Sequence, residues 1–393
     1  MTSSIPSFQF MTATTIHFGR KEAARNVAVL GKLGSPLLLV HGRDGARVQW
    51  LLEALIGLGV EVVAFSVPRE PDVALIEEGV ARARATQAKA IVAIGGGAVI
   101  DTGKALAALV PATRPVMDHL EVVGKGLPLE QAPLPFAALP TTAGTGAEVT
   151  KNAVLTVPEA ARKVSLRDPR MLPTLAIVDP ELTDYLPRAI TLASGLDAVT
   201  QVIEPYLSCK ANVLTDLLCR DAIPKGLEAL ARLMKAEDKG ARDALAWTSL
   251  CGGLALANAG LGAVHGLAGV LGGETGAAHG ALCGALLPHV LKANEQEVRV
   301  STELAEVERN RLLERFAEVR GWIGGALGCP ADQAFDELAT WSGANALPGL
   351  QAQGVEKALV PSVAKASAAS SSMKGNPVPL SLETLESILH AAG

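Results

Sequence analysis

Runs of basic residues are missing from this 393-residue chain, whose 35 lysines and arginines are outnumbered by 40 acidic residues, for a net charge of −5. Without a basic patch there is no electrostatic footprint for nucleic acid or an anionic membrane, so a small-molecule partner is expected instead. Paired cysteines are missing too. Cys209, Cys219, Cys251, Cys283 and Cys329 are scattered, odd in number and without CxxC spacing, which provides no zinc knot and fits reduced thiols in a cytosol. The opening MTSSIPSFQFMTATTIHFGR lacks the basic start and apolar stretch of a signal peptide, so a cytoplasmic location is expected. No internal repeat is visible, and SAASSS near residue 370 is too short for a linker.

One stretch imitates a membrane span: residues 244–273, ALAWTSLCGGLALANAGLGAVHGLAGVLGG, are long and nearly uncharged. Its glycines, Asn258 and His265 would be costly against lipid, it stands alone, and it lacks a basic flank. It is read as a helix buried in a helical domain.

What is present points to two domains, because the chain is too long for one core and 49% of it is hydrophobic. PLLLVH (36–41), VEVVAF (60–65) and AKAIVAIG (88–95) read as buried strands, and residues 44–58 and 72–87 between them have helical spacing. That alternation predicts a parallel, nucleotide-binding α/β sheet. FAALP, NAVLTV and LAIVDP add further strand signals, and after Pro187 the chain turns Ala- and Leu-rich with helical periodicity. The expected boundary lies near residue 188, giving an α/β domain over 1–188 and an all-helical domain over 189–393.

Two loops carry phosphate chemistry. In AIGGGAVIDTGKALA (93–107) a strand runs into Gly95, Gly96 and Gly97 and then a helix. Such glycines admit a pyrophosphate to backbone N–H groups, and the helix N-terminus adds a favourable dipole; the same pattern also makes an ordinary tight turn. Asp101 and Lys104 on the opening turns favour the cofactor reading. In ALPTTAGTGAEVT (138–150), Thr141, Thr142 and Thr145 offer hydroxyls beside Gly144 and Gly146, either to phosphate and amide oxygens or to cap a helix. Two such loops in one sheet make a dinucleotide the favoured ligand.

The helical half holds candidate ligands. SGLDAVTQVIEPY (194–206) puts Asp197, Gln201 and Glu204 on one helix face. His265 and His279 would lie about 21 Å apart on a straight helix, but Gly272, Gly273 and Gly276 let the chain turn back so that both imidazoles meet one centre. A lone histidine is more often a core residue; two of them with the Asp197 face favour a metal site.

Taken together, GGGAVIDTGK resembles the GGGSxxDxxK of the iron-containing (group III) alcohol dehydrogenase family, PTTAGTGAEVT its PTTAGTGSEVT, and GLDAVTQVIEPY its GxDAxTHxIExY. HGLAGVLGGETGAAHG is similar to its HxxxHxLGxxxxxxHG, and GNPVPLSLETLESIL to its closing NPRPxTxEDIxxIL. The resemblance spans nearly the whole chain. It implies a dehydroquinate-synthase-like fold with a nicotinamide-binding α/β domain and a helical metal domain. It also implies a homodimer and metal-assisted hydride exchange with an alcohol, aldehyde or ketone. The implied metal ligands, for iron or zinc, are Asp197, the residue at 201, His265 and His279, with Asp197, His265 and His279 as the catalytic set.

The chain departs from the family at Gln201, where histidine is usual, so a weakened site is expected, and at Gly269, where a second, non-ligand histidine is frequent. Ala98 and Ala147 replace serines. Gly42 stands where NAD-preferring members carry an aspartate, and with Arg43 beside it the cofactor is expected to be NADP(H), with NAD(H) as the alternative should Asp44 swing into the aspartate's place. Two other readings stay open: a metal-independent reductase of an unsaturated oxo acid, similar to maleylacetate reductases, and an inactive nucleotide-binding scaffold.

Overall fold

The computed structural model describes residues 6–160 and 162–393; the first five residues of the N-terminal stretch considered above lie outside them. The chain forms two compact units. One comprises Thr12–Thr142 and Gly146–Asp184; the other comprises the segment ending at Met11, the tripeptide Ala143–Thr145, and Tyr185–Gly393.

The first unit is built on six strands: β1 (Thr15–Phe18), β2 (Leu37–Gly42), β3 (Val62–Val67), β4 (Ala90–Gly95), β5 (Phe136–Pro140) and β8 (Leu175–Val178). They lie in the order β1-β8-β5-β4-β2-β3, and every pairing is parallel. Helices α1 (Gln49–Gly57), α2 (Val73–Ala85) and α3 (Gly97–Leu109) form the crossovers. Leu37, Leu39, Val92 and Ile94 pack with Leu51 and Leu55 of α1. Their alternates Leu38, Val40, Ile91 and Ala93 pack with Ile76 of α2 and Ile100 and Leu106 of α3. Both faces of β2 and β4 are therefore buried, which is why these central strands read as continuous apolar runs, whereas the edge strand β3, also expected to be buried, is partly exposed.

Two features differ from the sequence expectation. The edge strand β1, which carries no long apolar run, pairs with β8 through partners some 160 residues away, Thr15 with Leu175 and Phe18 with Val178. NAVLTV is a strand, β6 (Asn152–Val157), but it leaves the main sheet and pairs antiparallel with β7 (Arg162–Arg167). Its side chains alternate between buried and half-buried, as suits a ribbon covered on one face.

The second unit is helical: α4 (Arg188–Leu207), α5 (Val213–Leu233), α6 (Lys239–Ala259), α7 (Ala263–Thr275), α8 (His279–Val300) and α9 (Glu306–Leu327), followed by shorter helices over Ala334–Ala344, Val360–Ala368 and Leu382–Ala391. Its core joins Leu196, Val199 and Ile203 of α4 to Leu267 and Leu271 of α7 and Leu282, Leu286 and Leu287 of α8. The uncharged stretch over 244–273, expected as one helix, is instead two, α6 and α7, bent by 99° at the intervening break. A Cβ on Gly262, at that break, would come within 2.9 Å of both Asn376 Oδ1 and Glu204 Oε1, so only glycine admits those two caps. No single helix among the described residues is long and apolar enough to cross a membrane.

Candidate active site

Three helices of the helical unit converge at one point. Asp197 lies in the middle of α4, His265 in the first turn of α7 and His279 at the first residue of α8. The reversal between the two histidines is made at Gly276, whose φ of 68° is left-handed backbone that suits glycine. It brings the two imidazole rings to 5.3 Å between centroids, far closer than a straight helix allows. Asp197 Oδ1 then lies 3.4 Å from His265 Nε2 and 3.8 Å from His279 Nε2.

The start of α7 is held firmly. Glu204, one helix face along from Asp197, accepts from the Val264 N–H through Oε1 at 2.7 Å and from His265 Nδ1 through Oε2 at 2.7 Å. Asn376, from the C-terminal GNPVPL motif, accepts from the Ala263 N–H at 3.0 Å and is itself anchored to Asn294 and Val378. Because Glu204 accepts from Nδ1, the nitrogen of His265 that faces Asp197 is Nε2, the arrangement usual behind a metal-bound imidazole. Helical periodicity puts Glu204 on this face, but its partner His265 is 61 residues away in the chain, beyond the reach of local spacing.

Asp197 Oδ1 and His265 Nε2 are both buried with no hydrogen-bond partner. Burial alone would raise the Asp197 carboxyl, but the neighbouring His279 and His265 hold it below the usual carboxylate range. Burial likewise works against a charged His265, but the adjoining carboxylates of Asp197 and Glu204 outweigh it, taking its pKa up to about 9, so a cation bound at Nε2 takes the place of a proton. Buried polar atoms left without partners are costly, and an anionic oxygen beside imidazole nitrogens is the donor set of a divalent transition metal. These residues fit such an ion.

Gln201 is buried one turn after Asp197, and its amide nitrogen donates to the carbonyl of Thr145. A further group was not anticipated. Cys283 lies one turn after His279 on α8, with its sulfur 3.6 Å from His279 Nε2. Ligand-type atoms of Asp197, His265, His279 and Cys283 all lie within 4.8 Å of one another. The signal in the sequence is the i, i+4 spacing of HGALC, which comparing cysteines only with one another passes over. At Gly269 a Cβ would meet nothing within 4 Å.

In the sheet unit, β4 and β5 end side by side, Gly95 opposite Pro140, and the Thr141 N–H donates to the Gly95 carbonyl at 2.9 Å. The two candidate phosphate loops therefore leave neighbouring strand ends, where doubly wound sheets bind ligands. Helix α3 starts from Gly96 with no side-chain cap, so its first N–H groups suit an anion. Gly96, Gly97, Thr141, Thr142 and Thr145 are half-buried, and Gly95 is buried in the strand.

Asp101 and Lys104 face inward instead. The Lys104 ammonium donates to Ala147 O at 2.8 Å, Thr150 Oγ1 at 2.9 Å and Asn152 O at 2.7 Å, while Asp101 accepts from the Val154 N–H at 3.0 Å. Burial raises the Asp101 carboxyl to about 6 and that of the neighbouring Glu148 to about 7, and it lowers Lys104. Gly42 ends β2, and a Cβ there would meet nothing within 4 Å. Arg43 is exposed and donates to Pro68 O at 3.0 Å, while Asp44 caps the following turn by accepting from the Ala46 N–H at 3.1 Å.

Residues 13–180 match the family described as iron-containing alcohol dehydrogenase, and residues 191–393 match the C-terminal domain of the same family. The chain is 36% identical over 273 residues to alcohol dehydrogenase 4 of Saccharomyces cerevisiae, covering 69% of this chain and 70% of that one. It is 32% identical over 336 residues to lactaldehyde reductase of Escherichia coli K12, covering 82% and 81%. The crystal structure of a 1,3-propanediol oxidoreductase superposes with a TM-score of 0.86 at 29% identity, covering 99% of this chain and all of that one.

Proposed function

This chain belongs to the iron-containing alcohol dehydrogenase family, with its dehydroquinate-synthase-like fold, and is an NAD(P)-dependent oxidoreductase of alcohols and aldehydes; on that premise we propose the residues and the cofactor it uses. Asp197, His265 and His279 hold a divalent cation, iron or zinc, and are the catalytic residues. The observation that carries this is the pair of buried atoms without a hydrogen bond, Asp197 Oδ1 and His265 Nε2, aimed at each other and at His279. When bound, such a cation supplies Lewis-acid polarisation of the substrate oxygen. Asp197 offsets the cation's charge, and Glu204 fixes the ring of His265. Gln201 stands where the family usually has a histidine, and its uncharged amide oxygen is a poorer donor than an imidazole.

Residues 1–188 bind the nicotinamide dinucleotide and residues 189–393 the metal and substrate. Gly95, Gly96, Gly97, Thr141, Thr142 and Thr145 line the phosphates. Asp101 and Lys104 serve the same end from inside, by fixing the backbone over 147–154 that follows the threonine loop. The open space at Gly42 and the exposed guanidinium of Arg43 favour a 2′-phosphate, hence NADP(H), because the nearby Asp44 is held as a cap. We take the protein to be a cytoplasmic homodimer.

The test is a screen of metal-analysed protein with NADH and NADPH against aldehydes, ketones and oxo acids. The expected result is reduction of simple aldehydes that stops on chelation, with an NADPH preference that Arg43→Ala weakens. Full activity after demetallation, with an unsaturated oxo acid preferred, would replace this reading with the metal-independent reductase.

A further inference from the structure

The metal site contains a group that the family pattern does not supply. We propose that Cys283, as a thiolate, is the fourth protein ligand, so that Asp197, His265, His279 and Cys283 hold the cation with one oxygen, two nitrogens and one sulfur. The proposal rests on the reading of Asp197, His265 and His279 as metal ligands.

Geometry carries it. Zinc bonds of about 2.0 Å to oxygen and nitrogen and about 2.3 Å to sulfur imply tetrahedral edges of roughly 3.3 Å between oxygen and nitrogen ligands and roughly 3.5 Å between either and sulfur. Asp197 lies 3.4 Å from His265 and 3.8 Å from His279, and His279 lies 3.6 Å from Cys283, within about 0.5 Å of those edges, and no pair among the four is more than 4.8 Å apart, so small side-chain shifts close the set on one ion. His279 and Cys283 sit one turn apart on α8, so a single helix presents both to the same point. Asp197 Oδ1 and His265 Nε2, buried and without hydrogen bonds, face that point from α4 and α7. Cys283 is fully buried, which shields the sulfur from solvent oxidants.

The residue at 201 points the same way. Its amide nitrogen is engaged with the Thr145 carbonyl, tying the threonine loop to α4. Gln201 is thus a positioning residue, and the ligand missing at 201 is supplied from α8. A thiolate is a softer donor than the amide it outcompetes, and it shifts the preference of the site towards zinc over iron. The chain therefore keeps a four-ligand site without the fourth imidazole.

Cobalt substitution of the full-length, demetallated protein tests this, because a thiolate bound to Co²⁺ gives an intense near-ultraviolet charge-transfer band that oxygen and nitrogen ligands do not. The wild type should develop the band in proportion to bound cobalt, saturating at one ion per chain. Cys283→Ser should bind cobalt without the band and more weakly, by at least the roughly 10–100-fold known for loss of an outer-shell partner. Asp197→Ala should lose both. X-ray absorption of the zinc-loaded wild type, which needs no variant to fold, should show one sulfur at about 2.3 Å. Stoichiometric cobalt without the band, a band that survives in Cys283→Ser, or a zinc shell without sulfur overturns the role of Cys283 and leaves the other three ligands standing. Failure of the wild type to bind cobalt at all overturns both.

Discussion

Each unit of this protein buries a cluster of ionisable side chains, and the two clusters are built on opposite terms. In the sheet unit, Lys104 spends its three N–H bonds on Ala147, Thr150 and Asn152, and Asp101 takes the Val154 N–H. In the helical unit, Asp197 Oδ1 and His265 Nε2 are equally buried, make no hydrogen bond and only face each other at 3.4 Å. A group saturated by its own chain holds that chain in shape; one left unsaturated inside a rigid shell is a receptor for something else. Both clusters look alike in a residue count. The difference lies in where the hydrogen bonds end.

Removing a receptor should abolish function and spare the fold, whereas removing a structural knot should do the reverse. Asp197→Ala should cut turnover by about 10³-fold or more through loss of the cation, with little change in thermal midpoint and with cofactor binding retained. Metal analysis, calorimetry and cofactor fluorescence check this, and a collapsed fold would erase the contrast.

Lys104→Met should do the opposite, destabilising the protein by about 3–5 kcal/mol, the usual cost of removing one partner from a buried charged network. Denaturant midpoints measure it. The metal content of the protein that remains folded should be unchanged.

Glu148→Gln sharpens the comparison through pH. Its carboxyl has a folded pKa of about 7, raised by burial from an ordinary 4.5. The folded state therefore binds the extra proton between those values, and stability falls as pH rises from 4.5 to 7. Replacing the carboxyl by an amide should remove that decline, giving a gain of about 3 kcal/mol at pH 8 and none at pH 4. A stability profile identical to wild type across that range would show that Glu148 carries no such penalty.

What could be read from the residues alone follows the reach of each interaction. Strands β2, β4 and β5 announce themselves because both sheet faces are buried and the apolar run is local. Strand β1 does not, because TIHF becomes a strand only through its pairing with β8. Strand β6 shows as a strand, yet its partner β7 and its exclusion from the main sheet depend on the hairpin. Asp197 and Glu204 share a face by helical periodicity, and glycines license the approach of His265 to His279; both are short-range facts. Lys104 was legible as an unusual cation in a turn, but its three acceptors are 43 to 48 residues away, and that distance hid the distinction between holding a loop and touching a phosphate. Cys283 was within reach of a local argument, one turn from His279, had its spacing been judged against histidine.

The tripeptide Ala143–Thr145 belongs to the helical unit although the chain on either side of it belongs to the sheet unit. There it offers the Gly144 N–H to Ser249 and the Thr145 carbonyl to Gln201. The two halves are therefore not exchangeable modules. A fragment beginning after Asp184 would lack the acceptor for Gln201 and the donor for Ser249, and a chimera that swaps in a relative's first 184 residues would also graft three foreign residues beside Asp197. Recombination of this fold works cleanly only where the donor's threonine loop suits the recipient's helix α4.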